Sequence, residues 1–237
     1  MKEGARPPRE NLVRAISPGP ELREADGTPP TMTGHFSVTN QWTRIESAFE
    51  GTFMERFASG AWTKTISENR SALKVLFNHG RDPQIGNKPL GPIETLREDD
   101  KGAYYEVPLL DTSYNRDLLP GLKAGLYGAS MRFNVVRDDP VYKPKPSSYN
   151  PDGIPERTVT EAKLLEFGPV TFPAYQGATA GVRSLTDEYL IEVLRSSAPS
   201  KLDAAVATPH LEAGAPREAR RFKSDKEWLT WLLNSKT

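Results

Sequence analysis

The sequence has no cysteine and only three histidines, His35, His79 and His210, among 237 residues. Without cysteine the chain can form neither a disulfide framework nor a thiolate zinc site, and it has no thiol nucleophile. Three scattered histidines also argue against a histidine-rich metal centre. We therefore expect no bound metal.

Long apolar runs and an excess of positive charge are missing as well. No run approaches the roughly 18–20 residues that a membrane span needs. Residues 1–4 lead into prolines, not into the apolar core of a secretion signal. Lys and Arg number 31, as do Asp and Glu, so no basic surface points to nucleic acid. We expect no direct nucleic-acid role and no membrane association.

Prolines and apolar residues divide the chain into four parts. Six prolines and few apolar residues in positions 1–30 predict a mostly disordered arm, in which Leu12, Val13 and Ile16 could form a short sticky element. Residues 31–195 form the predicted domain. Ala, Pro and Ser are enriched in 196–222, a predicted flexible linker, and 223–237 are predicted to form a short amphipathic helix.

Within the domain, successive short strands and few helices predict a mostly β, α+β protein with a barrel-like or folded-over sheet. Phe53–Phe57 lies in a segment predicted as broken helix, and Leu73–Phe77 is predicted as a strand. Asp138–Pro155 is a Pro-rich insertion, and Leu185–Leu194 is a predicted helix.

Ser130 is the first candidate for chemistry. In the predicted strand Leu126–Val136, Met131 and Phe133 face a core, while Gly128 and Ser130 face the other way. A hydroxyl beside a glycine has room for an approaching backbone, as a nucleophilic serine needs. The same pattern also fits the polar face of an ordinary half-buried strand.

His79 ends the predicted strand Leu73–Phe77 and is followed by Gly80, which places it at the edge of the core. Histidine titrates near neutrality, so it can take a proton from serine and return it to a leaving amine. The alternative is a histidine bonded to a backbone carbonyl.

A carboxylate that orients the imidazole would complete a catalytic triad. Glu166 is the carboxylate set among apolar residues, where burial is costly unless it is paired. Glu161 and Asp82 are rival candidates, and each also has an ordinary structural explanation.

Three blocks of sequence, taken in order, resemble the prohead serine protease family of tailed bacteriophages. The resemblance covers about residues 32–183, and the family is related in fold to the herpesvirus capsid-maturation protease. The blocks are Leu76–Gly80 with the following Gly91–Glu106, then Gly125–Phe133, then Leu164–Ala174.

This resemblance implies a closed antiparallel β-barrel with flanking helices and a serine endopeptidase of Ser-His-Glu type. Ser130 would be the nucleophile, His79 the general base and Glu166 the third member. The herpesvirus relatives use a second histidine in that role, so His35 stays an alternative. Arg132 could help to bind the oxyanion or could be a structural ion-pair partner.

The resemblance also implies a biological role without any cofactor. The enzyme would work inside the prohead in the host cytoplasm, cleaving the scaffold or the delta segment of the major capsid protein, and itself. The arm 1–30 could be a self-cleaved propeptide, the helix 223–237 would dock on capsid or scaffold subunits, and a homo-oligomer is expected. The alternative is a catalytically inert internal scaffold or assembly chaperone built on the same domain.

Overall fold

Strands dominate the part of the chain that the computed structural model describes, which is residues 7–24, 26, 28–171 and 182–197. Helices are few, as the sequence predicts. The strands are β1 (Leu12–Ile16), β2 (Glu21–Arg23), β3 (Thr31–Val38), β4 (Thr43–Ser47), β5 (Gly51–Phe57), β6 (Thr95–Glu98), β7 (Gly102–Pro108), β8 (Gly128–Val141), β9 (Glu156–Val170) and β10 (Val182–Ser184). The helices are α1 (Thr63–Asn69), α2 (Ser113–Lys123) and α3 (Thr186–Ser197), with short 3₁₀ turns at Arg70–Ala72 and Phe77–Gly80.

The strands pair into two sheets. The larger sheet has the order β10-β1-β8-β9-β5-β4, in which only the β5–β9 pair is parallel. The smaller has the order β2-β3-β7-β6 and is antiparallel throughout. The two sheets are not hydrogen-bonded into one closed barrel, so that part of the predicted fold stays a prediction.

The main core lies against the face of β8 that carries Met131, Phe133 and Val135, in agreement with the alternation in the sequence. Phe36 and Trp62 come from β3 and the segment before α1, and their rings pack edge-on at 5.4 Å. Full burial of such a side chain contributes about 1.5–3 kcal/mol. The opposite face of β8 carries Ser130 and Arg132, and on that side a second, smaller buried cluster is formed by Val13, Ala15, Val170 and Leu185, with Tyr189 packed against it.

The N-terminal arm differs from the prediction of a mostly disordered segment over residues 1–30. Leu12–Ile16 form β1, which lies between β8 and β10, and all five of its residues are buried. The apolar residues of this segment, which suggest only a short sticky element, belong to an interior strand, because β8 and β10 pair with the two edges of β1. Residues 1–6 and most of the predicted linker and docking helix lie outside the described residues.

Three predicted elements also change. Phe53–Phe57, predicted as helix, belongs to strand β5, because β4 and β9 pair with its two edges. Leu73–Phe77 makes only an isolated bridge between Val75 and Phe167 before the chain turns. The first four residues of the predicted insertion continue β8 to Val141. Tertiary pairing decides each of these cases over local preference.

Within the described residues, no helix is both long enough and apolar enough to cross a membrane.

Candidate active site

Ser130 lies where β8 is paired on both sides. Its Cα partners are Ala15 on β1 and Gly168 on β9. The side chain is fully buried. Its Oγ lies 2.9 Å from His79 Nε2 and 3.0 Å from the carbonyl oxygen of Arg14, to which it can donate. The hydroxyl is therefore held in place by a strand on one side and an imidazole on the other.

A left-handed turn presents His79 to that hydroxyl. Asn78 and His79 have φ angles of 46° and 58°, a region that non-glycine residues rarely adopt. The Asn78 amide is bonded to Thr171 in both directions, since Nδ2 donates to Thr171 Oγ1 and Oδ1 accepts from the Thr171 N–H. Such a backbone persists only where its surroundings hold it, and these conformations cluster at functional sites.

Gly168 lets the chain that leads to His79 run directly against β9. A Cβ at this position would lie 2.0 Å from the carbonyl oxygen of Leu76. The Leu76 N–H donates to the Phe167 carbonyl at 2.9 Å, which fixes the approach. Any side chain at position 168 would push the histidine turn away from Ser130, which is the direct neighbour of Gly168 across the strands.

Glu166 completes the chain of contacts. Its Oε1 lies 2.7 Å from His79 Nδ1, and its side chain is 3% exposed. On β9 it stands directly opposite Arg132 of β8, whose Nε is 3.4 Å from the same oxygen. A buried carboxylate needs such partners, because an unpaired one would be costly. The alternation of β9 thus puts Glu166 on the same sheet face as Ser130.

The three side chains form one line: a hydroxyl, an imidazole bonded to it through Nε2, and a carboxylate bonded to Nδ1. The 2.9 Å and 2.7 Å spacings fall within the 2.6–3.2 Å that proton transfer between nucleophile and base requires. Nδ1–H donation to Glu166 leaves Nε2 free to accept the serine proton. The arrangement is chemically able to activate a serine nucleophile.

Comparison with known proteins gives the family. The sequence model described as Caudovirus prohead serine protease matches residues 20–191. The chain belongs to this family. It is thus a serine protease of tailed phages, with a role in prohead maturation.

Among solved structures, the protease is similar to the capsid assembly protease gp21 of bacteriophage T4. The identity is 14%, the TM-score is 0.43, and the match covers 68% of this chain and 96% of that chain. No curated protein matches.

The rival candidates for the third member of the triad are bonded to groups other than His79. His35 Nε2 lies 3.0 Å from Asp99 Oδ1 in the smaller sheet. Burial opposes ionisation of Asp99, but hydrogen bonds from Gly102 and His35 outweigh it, so the pKa of Asp99 lies below its usual value.

Glu161, the second rival, forms ion pairs with Lys64 at 3.2 Å and with Arg137 at 3.4 Å. Asp82 accepts the backbone N–H groups of Gln84 and Ile85, each at 2.9 Å. The contacts of both carboxylates are thus with groups other than His79.

Tyr189 is a site residue of the protease that the sequence does not reveal. It lies on α3, with its ring edge-on to His79 at a centroid distance of 6.0 Å. Its Oη accepts from Arg132 Nη1 at 3.0 Å, and the guanidinium of Arg81 lies 4.3 Å from its ring centroid. The sequence predicts the helix but contains no signal for the face of the sheet that it covers.

A cleft of about 450 Å³ lies beside the histidine turn of the protease. Apolar side chains, among them Phe77 and Tyr127, line part of it, and the carboxylates of Asp82 and Asp117 stand at its border. Phe77 precedes the turn that carries His79, and Tyr127 precedes β8, which carries Ser130. The cleft therefore adjoins the segments that hold both of these residues. Within the described part of the chain, no group of three or more His, Asp or Glu side chains could hold a metal ion.

Proposed function

We propose that the chain is the endopeptidase that cleaves the scaffold or the delta segment of the major capsid protein, and itself, while the prohead matures. The observation that supports a Ser-His-Glu mechanism most strongly is the line from Ser130 Oγ through His79 to Glu166, with spacings of 2.9 Å and 2.7 Å. Membership of the family supports the biological setting.

In this mechanism Ser130 Oγ attacks the carbonyl carbon of the scissile peptide while its proton passes to His79 Nε2. Glu166 keeps the imidazole in the required tautomer and stabilises the imidazolium. His79 then gives the proton to the leaving amine, and the C–N bond breaks to leave an acyl-enzyme on Ser130. Water attacks the ester with His79 as base, which releases the acid and restores the serine.

The substrate peptide must first reach the hydroxyl of Ser130, which is covered by its surroundings. Ser130 is fully buried and the side chain of His79 is 8% exposed. Tyr189 stands edge-on to the imidazole, so we expect the peptide to approach Ser130 alongside this ring. The cleft beside Phe77 gives room for part of the bound peptide.

The rest of the chain fits the same role. We assign the domain to residues 31–195 together with β1 and β2, the flexible linker to the residues from the end of α3 to 222, and the docking helix for capsid or scaffold subunits to 223–237. The enzyme would be enclosed in the prohead within the host cytoplasm, and this confinement would favour a homo-oligomer by raising the protomer concentration.

Co-expression with the major capsid protein of the phage tests this function. The variants are Ser130→Ala and, as a matched control, Ser37→Ala, since Ser37 is also a buried serine on a strand, at 1% exposure. We expect the wild type and Ser37→Ala to shorten the capsid protein on a gel, and Ser130→Ala to leave it at full length. Full processing by Ser130→Ala would contradict the proposal. Identical full-length capsid bands with normal assembly from wild type and variant would instead favour an inert scaffold.

A further inference from the structure

The carboxylate of Glu166 is buried beside a histidine that must gain and lose a proton. Its side chain is 3% exposed. One oxygen, Oε1, lies 2.7 Å from His79 Nδ1, while Oε2 has no hydrogen-bond partner among the described residues. A buried carboxylate is costly unless a positive charge lies nearby to compensate it.

Arg132 supplies that charge from the neighbouring strand. It is the direct cross-strand partner of Glu166, so both side chains leave the same face of the sheet. The Arg132 Nε to Glu166 Oε1 distance is 3.4 Å, against 2.7 Å for His79 Nδ1. The shorter bond to Oε1 thus belongs to His79, while Arg132 acts by its charge.

The guanidinium is held toward the carboxylate by α3. Its Nη1 donates to Tyr189 Oη at 3.0 Å, and its carbon lies 5.4 Å from the centroid of that ring. Its other described contact is a hydrogen bond of 3.4 Å to Asn11 Oδ1. These contacts direct Arg132 to Glu166, Tyr189 and Asn11.

We propose that Arg132 is a positioning residue of the protease that acts through Glu166. It keeps the carboxylate directed at His79 Nδ1, so that the imidazolium formed during serine attack is stabilised. The proposal rests on the catalytic roles proposed above for Ser130, His79 and Glu166. It concerns a group that touches neither the substrate nor the reacting atoms.

The same two strands contain a matched control. Arg137 on β8 is the cross-strand partner of Glu161 on β9, and the Arg137 Nη2 to Glu161 Oε2 distance is also 3.4 Å. The Arg137 side chain is 73% exposed, whereas that of Arg132 is 27% exposed. Removing either arginine breaks an arginine–glutamate contact of equal length, but only one of the two glutamates is bonded to His79.

The test is the rate at which a fluorophosphonate labels the full-length chain. In this reaction Ser130 Oγ bonds to phosphorus, the P–F bond breaks, fluoride leaves and the serine proton passes to His79. We expect Arg132→Gln to lower the rate at saturating probe by about 10–100-fold, as loss of a partner that orients a functional side chain does. The probe concentration at half-maximal rate should stay the same. Arg132→Lys should recover part of the loss, and Arg137→Gln should stay within about twofold of wild type.

A double-mutant cycle separates positioning from a merely structural role. In a Glu166→Gln background, Arg132→Gln should change the rate by less than about threefold, because its target is gone. The same large loss in both backgrounds, or no loss from Arg132→Gln alone, would overturn the proposal. Arg132→Lys retains the charge, so a rate as low as that of Glu166→Gln in this variant, with an unchanged melting temperature, would also overturn it. Labelling of Ser130→Ala at the wild-type rate would instead refute the catalytic roles on which the proposal rests.

Discussion

At the scale of residues, the direction in which the Ser130 hydroxyl donates its proton decides whether the serine can attack. The Ser130 hydroxyl has two acceptors, His79 Nε2 at 2.9 Å and the Arg14 carbonyl at 3.0 Å, and it can donate to only one at a time. Only donation to His79 leads to attack. The carbonyl of Arg14 therefore competes with the base in the closed site, and substrate binding must favour the imidazole.

Glu166→Gln tests the third member at this scale. An amide at this position can no longer stabilise the imidazolium and can enforce the wrong tautomer, so we expect kcat to fall by about 10²–10⁴-fold with a smaller change in KM. Cleavage of the capsid protein, followed over time, measures it. Glu161→Gln is the control, since Glu161 lies on the same strand and its contacts are with Lys64 and Arg137. Equal rates for the two variants would contradict a role for Glu166.

The sequence contains the chemical members of the site but not their surroundings. Ser130, His79 and Glu166 could be selected because each sits in a distinctive local pattern, and Asn-His-Gly is a pattern that tolerates left-handed backbone. The contact of Tyr189 with His79 depends on how α3 packs across the sheet, a long-range contact that no local pattern encodes.

At the scale of elements, a buried ionic cluster joins strands β1, β5 and β9. Arg14 and Arg157 both bind Glu55, with N···O distances of 2.7 Å and 2.5 Å, and Arg14 also binds Glu50 at 2.6 Å. Burial alone would raise the pKa of Glu55, but attraction to the two arginines outweighs it, so the pKa lies below its usual value. The cluster fixes β1, whose Arg14 carbonyl contacts Ser130.

Glu55→Gln should destabilise the protein by about 3–5 kcal/mol, because it leaves two buried arginines, Arg14 and Arg157, to share the single carboxylate of Glu50. Since the folded-state pKa is depressed, this contribution is fully present above the usual value of about 4.5 and is lost as the pH falls through the folded value. Urea unfolding at several pH values measures it. The control is Glu46→Gln at an exposed position of β4, with an expected loss of about 0–1 kcal/mol. A Glu55→Gln effect that grows on acidification would contradict this account.

Strands with a continuous alternation of apolar and polar residues could be predicted from the sequence. Elements whose conformation depends on pairing with distant strands could not. The period-2 patterns of Leu126–Val136 and Arg157–Phe167 predict two strands, and β8 and β9 contain most of these residues but extend beyond them to Val141 and Val170. Phe53–Phe57 has an ambiguous pattern, and its two partner strands determine its conformation. β1 is short and set among prolines, so its burial follows only from the sheet that surrounds it.

At the scale of the whole molecule, the N-terminal segment belongs to the domain. Leu12, Val13 and Ala15 are fully buried, and Arg157 Nη1 donates to the Pro8 carbonyl at 2.8 Å. Burial of each large apolar side chain contributes about 1.5–3 kcal/mol, against a total stability of about 5–15 kcal/mol for a typical domain. Loss of β1 would therefore cost most of the available stability.

Deletion of residues 1–17 should abolish the folded, active protease, whereas deletion of residues 1–6 should leave both fold and activity. Circular dichroism with thermal melting, together with capsid-protein cleavage, measures the two outcomes. It follows that any N-terminal self-cleavage should lie before Leu12, which N-terminal sequencing of the mature protein would locate. An active, cooperatively melting protein without residues 1–17 would show that β1 is dispensable.

The identity of the nucleophile can be read from a single covalent adduct. We would treat the full-length protease with a fluorophosphonate and map the modified residue by tandem mass spectrometry. The phosphonyl group should be found on Ser130, and replacement of His79 by Ala should prevent its formation. An adduct on a different serine, with Ser130 unmodified in a protease that cleaves capsid protein, would contradict the mechanism.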